Sequence, residues 1–296
     1  MIPEVLFDLG ASWHYNRKAD MNFDEVDKLI RLALAEDMPQ GDITTDNLIP
    51  PEATSQGVFI AKERGVLAGL PVAERVFKLV DKTVNFTPYI SDGTKIHPGD
   101  RLAAVAGPAR ALLKAERTAL NFLQRLSGIA TLTRHFVQAL AGTSTRVLDT
   151  RKTTPGLRSL EKYAVRMGGG QNHRFSLSDM VLIKDNHLRL VGSITEAVHK
   201  IRERVGHRIK IEVEVTSLAE AQEALQAGAD WIMLDNMSLE EMKEVVHLIK
   251  GQAVLEASGN ITLEKARTIA SLGVDFISVG RLTHSVKALD ISLEFI

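Results

Sequence analysis

Residues 209–280 read IKIEVEVTSLAEAQEALQAGADWIMLDNMSLEEMKEVVHLIKGQAVLEASGNITLEKARTIASLGVDFISVG. Apolar runs recur at Ile209–Val215, Trp231–Leu234, Ala253–Leu255 and Phe276–Val279. Helical patterns fill the gaps at Leu218–Ala227, Leu239–Ile249 and Leu263–Leu272, each ended by a glycine, Gly228, Gly251 and Gly273. From Glu214 onward the repeat is about 21 residues, the length of one strand plus one helix in an α/β barrel. Two more short runs, Arg146–Leu148 and Val181–Ile183, extend the series upstream. Strand–helix alternation predicts a parallel sheet with helices outside it. No Gly-x-Gly-x-x-Gly follows a first strand, which favours a barrel over a doubly wound open sheet.

In such a barrel the carboxyl ends of the strands share one face, where active sites sit. Those ends are polar here: Asp149, Arg151 and Lys152; Lys184 and Asp185; Glu212 and Glu214; Asp235 and Asn236; Glu256 and Ser258; Ser278 and Gly280. The richest stretch is LDTRKTTPGLRSLEKYAVRMGGGQNHRFSLSDMVLIKDNH, residues 148–187, which gathers Arg151, Lys152, Arg158, Lys162, Arg166, His173, Arg174 and Lys184 around Gly168–Gly170. A cation cluster in a near-neutral chain calls for a small, highly charged anion. Arginine offers a planar fork to carboxylate or phosphate, and lysine a point charge. Ser258-Gly259-Asn260 and Val279-Gly280-Arg281 each follow a strand and precede a helix, so backbone N–H groups there can meet a phosphate. Glu214 and Asp235 suit ribose hydroxyls or Mg²⁺, which takes one or two carboxylates plus phosphate oxygens. Glu212 and Glu214 share a strand face, and the site role is given to Glu214.

The first part of the chain has another character. A helix is expected over Phe23–Glu36 with Asn22 as its cap. Strands are expected at Gly57–Ala61 and Arg101–Val105, with a helix from about Pro71 to Val80. A helical stretch follows from Pro108 to Leu140, broken near Ser127-Gly128. This gives a first domain of mixed sheet and helix that ends near residue 120, with the barrel after it.

Hydrophobic residues make up 45% and charged residues 25% of the 296, enough to bury a core. The formal charge of -1 argues against a broad nucleic-acid surface. With no cysteine, disulfides, thiolate metal sites and cysteine nucleophiles are excluded, and a reducing cytoplasm is the expected location. The first residues lack a signal-peptide pattern and no apolar run is long enough for a membrane span. Plain structural roles suffice for other features. Lys162 and Arg166 fall at helical spacing from Arg158 and read as a solvated face. His199, His207 and His247 read as solvated, Gly168–Gly170 reads equally well as a turn, and Trp13-His14-Tyr15 as an arm.

The stretches GDITT (41–45), AERTALNFLQRLSGIAT (115–131), LDTRKTTPGLR (148–158), GGGQNHR (168–174), LIKDNH (182–187), EVEV (212–215), GADWIMLDN (228–236), EASGNI (256–261) and GVDFISVGRLTHS (273–285) closely resemble the quinolinate phosphoribosyltransferase family. They cover nearly the whole chain in the family's order. Asn260 stands where many members have glycine. The resemblance implies transfer of a phosphoribosyl group to quinolinate with decarboxylation, in NAD biosynthesis. It implies catalytic roles for Lys152, Glu214, Asp235 and Lys184. Arg117, Arg151, Arg174 and Lys184, with His173 nearby, would hold quinolinate's carboxylates. Lys152 would face the diphosphate donor, Thr150 would also bind substrate, Glu214 and Asp235 would contact the donor's ribose and Mg²⁺, and the two glycine loops would take its 5-phosphate. It further implies an N-terminal α/β sandwich-like domain, residues 1–119, joined by a returning tail, residues 288–296, an incomplete α/β barrel, residues 120–287, and a homodimer in which Arg117 enters the neighbouring site.

Other readings remain open at this point. A paralogous pyrophosphorylase-like protein associated with molybdenum transport would share the fold without the full set of carboxylate-binding cations. A Schiff-base aldolase-type barrel would use Lys184. Residues 91–102 look like half of a biotinyl or lipoyl carrier, but Lys95 lacks the framing such a lysine needs, and the segment reads as a structural element.

Overall fold

A computed structural model describes residues 21–249 and 251–296. The Trp13-His14-Tyr15 arm lies outside them. The N-terminal part comprises α1 (Phe23–Asp37), α2 (Ile43–Leu48), β1 (Thr54–Ala61), β2 (Gly65–Val66), α3 (Leu70–Val80), β3 (Asn85–Pro88), β4 (Lys95–Ile96) and β5 (Arg101–Pro108). Asn22 caps α1, its Oδ1 accepting from the Asp24 N–H at 3.2 Å. Val26, Ile30 and Leu34 line the buried side of α1 at helical spacing. Phe59 of β1, Phe77 of α3 and Phe86 of β3 form a ring cluster with centroids 5.8–6.1 Å apart, which fastens α3 to the sheet. Lys95 is paired with Val66 in the short β2–β4 ribbon, so it does not stand at a hairpin tip as a carrier lysine would.

A single helix, α4 (Ala109–Ala139), leads into the second part. The expected break near Ser127-Gly128 does not occur. Gly128 instead marks a close approach: a β-carbon there would lie 2.1 Å from the Lys287 carbonyl oxygen. Ser127 bonds both the N–H and the carbonyl of Ala68. Both residues are small because chain segments cross the helix at that turn.

Then come β6 (Arg146–Leu148), α5 (Arg158–Met167), β7 (Val181–Ile183), α6 (Asp185–Val191), α7 (Ile194–Val205), β8 (Ile211–Val215), α8 (Leu218–Gln226), β9 (Trp231–Asp235), α9 (Leu239–Ile249), β10 (Val254–Ser258), α10 (Leu263–Ser271), β11 (Phe276–Ser278), α11 (Arg281–His284) and β12 (Ile291–Phe295). The six strands from β6 to β11 form one parallel sheet in the order β6-β11-β10-β9-β8-β7. Its edges are β6 and β7, which are consecutive in the chain but not paired, so this is an incomplete α/β barrel. Residues 149–180 fill the seam, which explains why the cation-rich stretch is so irregular. Gln171 makes the one bridge there, alongside Leu148. β12 leaves the barrel and pairs antiparallel with β1, giving a four-stranded antiparallel sheet of order β12-β1-β5-β3.

Candidate active site

The barrel's carboxyl-end face brings most of the sequence-selected residues together. Lys184, just past β7, donates from Nζ to Glu214 Oε2 on β8 at 2.5 Å. Asp235, at the end of β9, is in register with Ser258 of β10. Beyond them the loops are tied: Asn236 Nδ2 donates to Asp235 Oδ2 at 3.0 Å, and Asn260 Nδ2 to Asn236 Oδ1 at 3.1 Å. Asn260 has φ +47°, a left-handed conformation that asparagine tolerates better than most residues. That accounts for asparagine where glycine would also fit. Gly259 must be glycine, since a β-carbon would meet Asn236 Oδ1 at 2.3 Å.

The cations lie on the seam side. Arg151 makes no hydrogen bond or ion pair among the described residues, and its Nε is buried without a partner. Arg174 donates from Nη1 to the Met180 carbonyl at 2.8 Å. Its guanidinium is held below its ordinary value, first by burial and then by the charge of Arg151. Two neighbouring guanidinium groups, one unpaired, leave an unmet demand for an anion. Exposed Lys152 donates its backbone N–H to Thr150 Oγ1 at 3.0 Å, and its carbonyl accepts from Thr283 Oγ1 at 2.8 Å. Its stem passes over the β11 loop, Cδ lying 3.0 Å from where a β-carbon on Gly280 would stand. Arg281 is exposed beside Gly280, and Val279 before it is buried. Arg117 is exposed on α4 and has no hydrogen bond or ion pair among the described residues.

His173 departs from the expectation. It is 7% exposed and points into the barrel, its Nε2 3.0 Å from Glu212 Oε2 and 3.4 Å from Glu256 Oε2. Its Nδ1 accepts the Arg174 N–H at 2.8 Å. Both ring nitrogens are engaged, which leaves none for a carboxylate outside. Ligand atoms of the three residues lie within 4.8 Å of one another, a spacing seen in metal sites. However, an N–H aimed at Nδ1 requires a lone pair there, so the neutral ring carries its proton on Nε2, facing the carboxylates. That makes the trio a buried proton-sharing cluster rather than a ligand set. Burial lowers the imidazole's affinity for a second proton, but the charges of Glu256 and Glu212 outweigh it and raise His173 to about 10. The Arg174 N–H opposes that second proton. Either way, two buried carboxylates cannot both stay ionised cheaply. Burial, then the charge of Glu256, raises Glu212 to about 7 from an ordinary 4.5. Between those values the folded chain holds a proton that the unfolded chain has released. Stability should therefore fall as pH rises through that window. Thermal unfolding from pH 5 to pH 8 should show this slope, and Glu212→Gln should flatten it.

Lys162 corrects a second expectation. It is 2% exposed and paired with fully buried Asp149. Arg166 is not a free solvated cation either: its Nη1 donates to Asn172 Oδ1 at 2.7 Å, and its guanidinium lies over the Tyr163 ring. The Arg158–Lys162–Arg166 face turns toward the barrel seam. Another structural residue escaped the sequence reading. Arg125 of α4 donates to Glu161 Oε1 at 2.5 Å, Thr154 Oγ1 at 2.7 Å and the Thr283 carbonyl at 3.1 Å, clamping the loop after Lys152. Leu160, Ala164 and Val165 of α5 are buried, and so are Glu161 and Lys162, so the helix is enclosed on its charged side as well.

Comparison with known proteins identifies the family. The quinolinate phosphoribosyl transferase N-terminal domain matches residues 42–127, and the C-terminal domain of the same family residues 129–294. A probable nicotinate-nucleotide pyrophosphorylase [carboxylating] from Bacillus subtilis is 45% identical over 274 residues, covering 93% of this chain and 94% of its own. A tobacco (Nicotiana tabacum) quinolinate phosphoribosyltransferase [decarboxylating] is 43% identical, covering 90% of this chain and 81% of its own. The crystal structure of NadC from Streptococcus pyogenes superposes with a TM-score of 0.89 at 45% identity, covering 94% of this chain and 99% of that one. With both domains matched in order and close relatives aligned along nearly the whole chain, this chain belongs to the quinolinate phosphoribosyltransferase family.

Proposed function

We propose that the chain joins quinolinate to 5-phosphoribosyl 1-diphosphate, releasing pyrophosphate and carbon dioxide and giving nicotinate mononucleotide for NAD synthesis in the cytoplasm. The observation that carries this reading is Arg151, without a hydrogen bond or ion pair among the described residues, close enough to Arg174 for its charge to disfavour that guanidinium, a receptor for a planar dicarboxylate. Lys184 adds a third cation, which quinolinate would share with Glu214. Lys152 faces the diphosphate. Ser258-Gly259-Asn260 and Val279-Gly280-Arg281 offer backbone N–H groups to the 5-phosphate, and Thr150 steadies the Lys152 turn.

As the bond from ribose C1 to the diphosphate oxygen breaks, its electron pair leaves with pyrophosphate and C1 becomes cationic. Glu214 and Asp235 stabilise that charge electrostatically. The pyridine nitrogen then bonds to C1. The ring, now quaternary, accepts the electron pair from the breaking carbon–carboxylate bond; carbon dioxide departs and the ring carbon takes a proton from solvent. Asp235 accepts only from Asn236 among the described residues, and Glu214 shares one oxygen with Lys184, so this donor set suits Mg²⁺, which prefers few carboxylates and many phosphate oxygens. Bound there, Mg²⁺ supplies charge to offset the departing pyrophosphate.

Arg117 supports a shared site. An exposed, unpaired arginine on a long helix fits the reading that it enters the neighbouring subunit of a homodimer. Arg117→Ala and Lys152→Ala variants should each be nearly inactive alone. Mixed after reversible dissociation, they should regain about a quarter of the activity per total site, because half the dimers are mixed and one of their two sites is intact. Inactive mixtures would place Arg117 within its own subunit's site.

The reading is tested with purified protein, quinolinate, phosphoribosyl diphosphate and Mg²⁺, following nicotinate mononucleotide by chromatography. Formation that depends on all three additions supports it. A borohydride-trappable adduct of Lys184 with a carbonyl substrate, and no use of phosphoribosyl diphosphate, would favour the aldolase reading.

A further inference from the structure

Arg151 and Arg174 stand on backbone with little regular structure. One lies three residues beyond β6, the other in the loop between α5 and β7. A single buried carboxylate ties these segments together. Asp149 Oδ1 accepts the His173 N–H at 2.9 Å and the Lys162 ammonium, and Oδ2 accepts from Asn172 Nδ2 at 2.5 Å. The Asp149 N–H donates to the Gln171 carbonyl at 3.1 Å. Lys162 also donates to the His173 carbonyl at 3.0 Å, and Asn172 Nδ2 to the Lys162 carbonyl at 2.9 Å. Residues 149, 162 and 171–173 thus form a closed cage. Arg151 leaves it two residues after Asp149, and Arg174 one residue after His173.

A cage of this kind is costly if stability is all it serves. Taking an ammonium and a carboxylate out of water costs several kcal/mol each, and well-packed apolar residues often serve stability as well or better. What the pair offers is direction: three N–H donors from two segments, α5 and the loop after it, converge on one carboxylate. The pair is also neutral as a unit. A lone carboxylate there would offset the charge that Arg151 and Arg174 present, whereas Lys162 cancels it locally. Neither side chain is accessible, Asp149 being fully buried and Lys162 2% exposed, so neither touches a ligand.

We infer that Asp149 and Lys162 are positioning residues that fix the spacing of Arg151 and Arg174 and so set the affinity for quinolinate. The inference rests on the reading of this face as a quinolinate site. A misplacement of about 1 Å can cost on the order of a hundredfold when several groups must act together.

The test is the double variant Asp149→Leu/Lys162→Met, which removes both charges and leaves no buried ion alone. Quinolinate binding is measured by calorimetry, the KM of each substrate by steady-state kinetics, and folding by thermal unfolding. The folded variant should bind quinolinate at least about tenfold more weakly, its quinolinate KM rising in step, while the KM for phosphoribosyl diphosphate changes less than about twofold. Unchanged quinolinate affinity, or an equal rise in both KM values, would overturn the inference. If the double variant does not fold, Asn172→Ala cuts one arm of the same cage without removing a charge. Weaker quinolinate binding then supports the inference, and wild-type binding overturns it. Failure of the unaltered chain to bind quinolinate would instead remove the functional reading, and this inference with it.

Discussion

Lys152→Ala is expected to lower kcat by about a hundred- to a thousandfold, the usual cost of removing one preorganised charge-stabilising group from a developing anion. The expectation follows from where the side chain runs. Its backbone is held by Thr150 and Thr283, and its stem crosses Gly280, so the ammonium is delivered above the loop given to the phosphoribosyl donor. It has no ion pair among the described residues, so its charge is available to a ligand. The loss should appear mainly in kcat if the charge acts on departing pyrophosphate, and mainly in the donor KM if it acts on ground-state binding. Quinolinate affinity, measured alone, should change little. Near-normal turnover would remove Lys152 from the chemistry.

Gly128→Ala should destabilise the chain by about 3 kcal/mol, the upper part of the range for overpacking a rigid site. The sign is informative. In an exposed helix, alanine for glycine stabilises by roughly 1 kcal/mol. Here the new β-carbon would stand 2.1 Å from the Lys287 oxygen and 3.2 Å from Ala288 Cα, both backbone. The tail cannot simply withdraw, because the Leu289 N–H donates to the Gln124 carbonyl at 2.9 Å and Gln124 Nε2 to the Ile291 carbonyl at 2.7 Å. Denaturant unfolding measures the change. A neutral or stabilising result would mean that the tail does not pack on α4 at that turn.

These cases show what a sequence discloses and what it withholds. The parallel strands were legible because each is a short apolar run at a regular interval, and because Glu214, Asp235 and Ser258 fall at strand ends. The N-terminal elements near residues 23, 57, 71 and 101 followed from periodicity and turn residues in the same way. Charged residues were harder. Arg158, Lys162 and Arg166 have the same spacing whether they face water or an enclosed seam, and nothing local discloses that Asp149 waits across it. Strand alternation put Glu212 and Glu214 on one face but says nothing about depth. One residue pair lower, Glu212 meets His173 and Glu256 in the barrel's interior, while Glu214 meets Lys184 at its mouth. Gly128 was misread for a related reason: local propensity takes a glycine in a helix as a break, whereas the cause lies about 160 residues away in the chain, where close backbone approach favours glycine over any residue with a side chain. Arg117 carried no local signal at all, and its role came only from the resemblance.

The decisive measurement is the ratio of kcat/KM for quinolinate to that for nicotinate, with phosphoribosyl diphosphate and Mg²⁺ present. Nicotinate lacks the second carboxylate, so Arg151 and Arg174 would be left partly unanswered. Sites built to bond a polar group reject analogues lacking it by about 10⁴-fold or more. A ratio of that order, with carbon dioxide released one for one with nicotinate mononucleotide, is the predicted result. Comparable use of nicotinate, or mononucleotide formed without carbon dioxide, would contradict it.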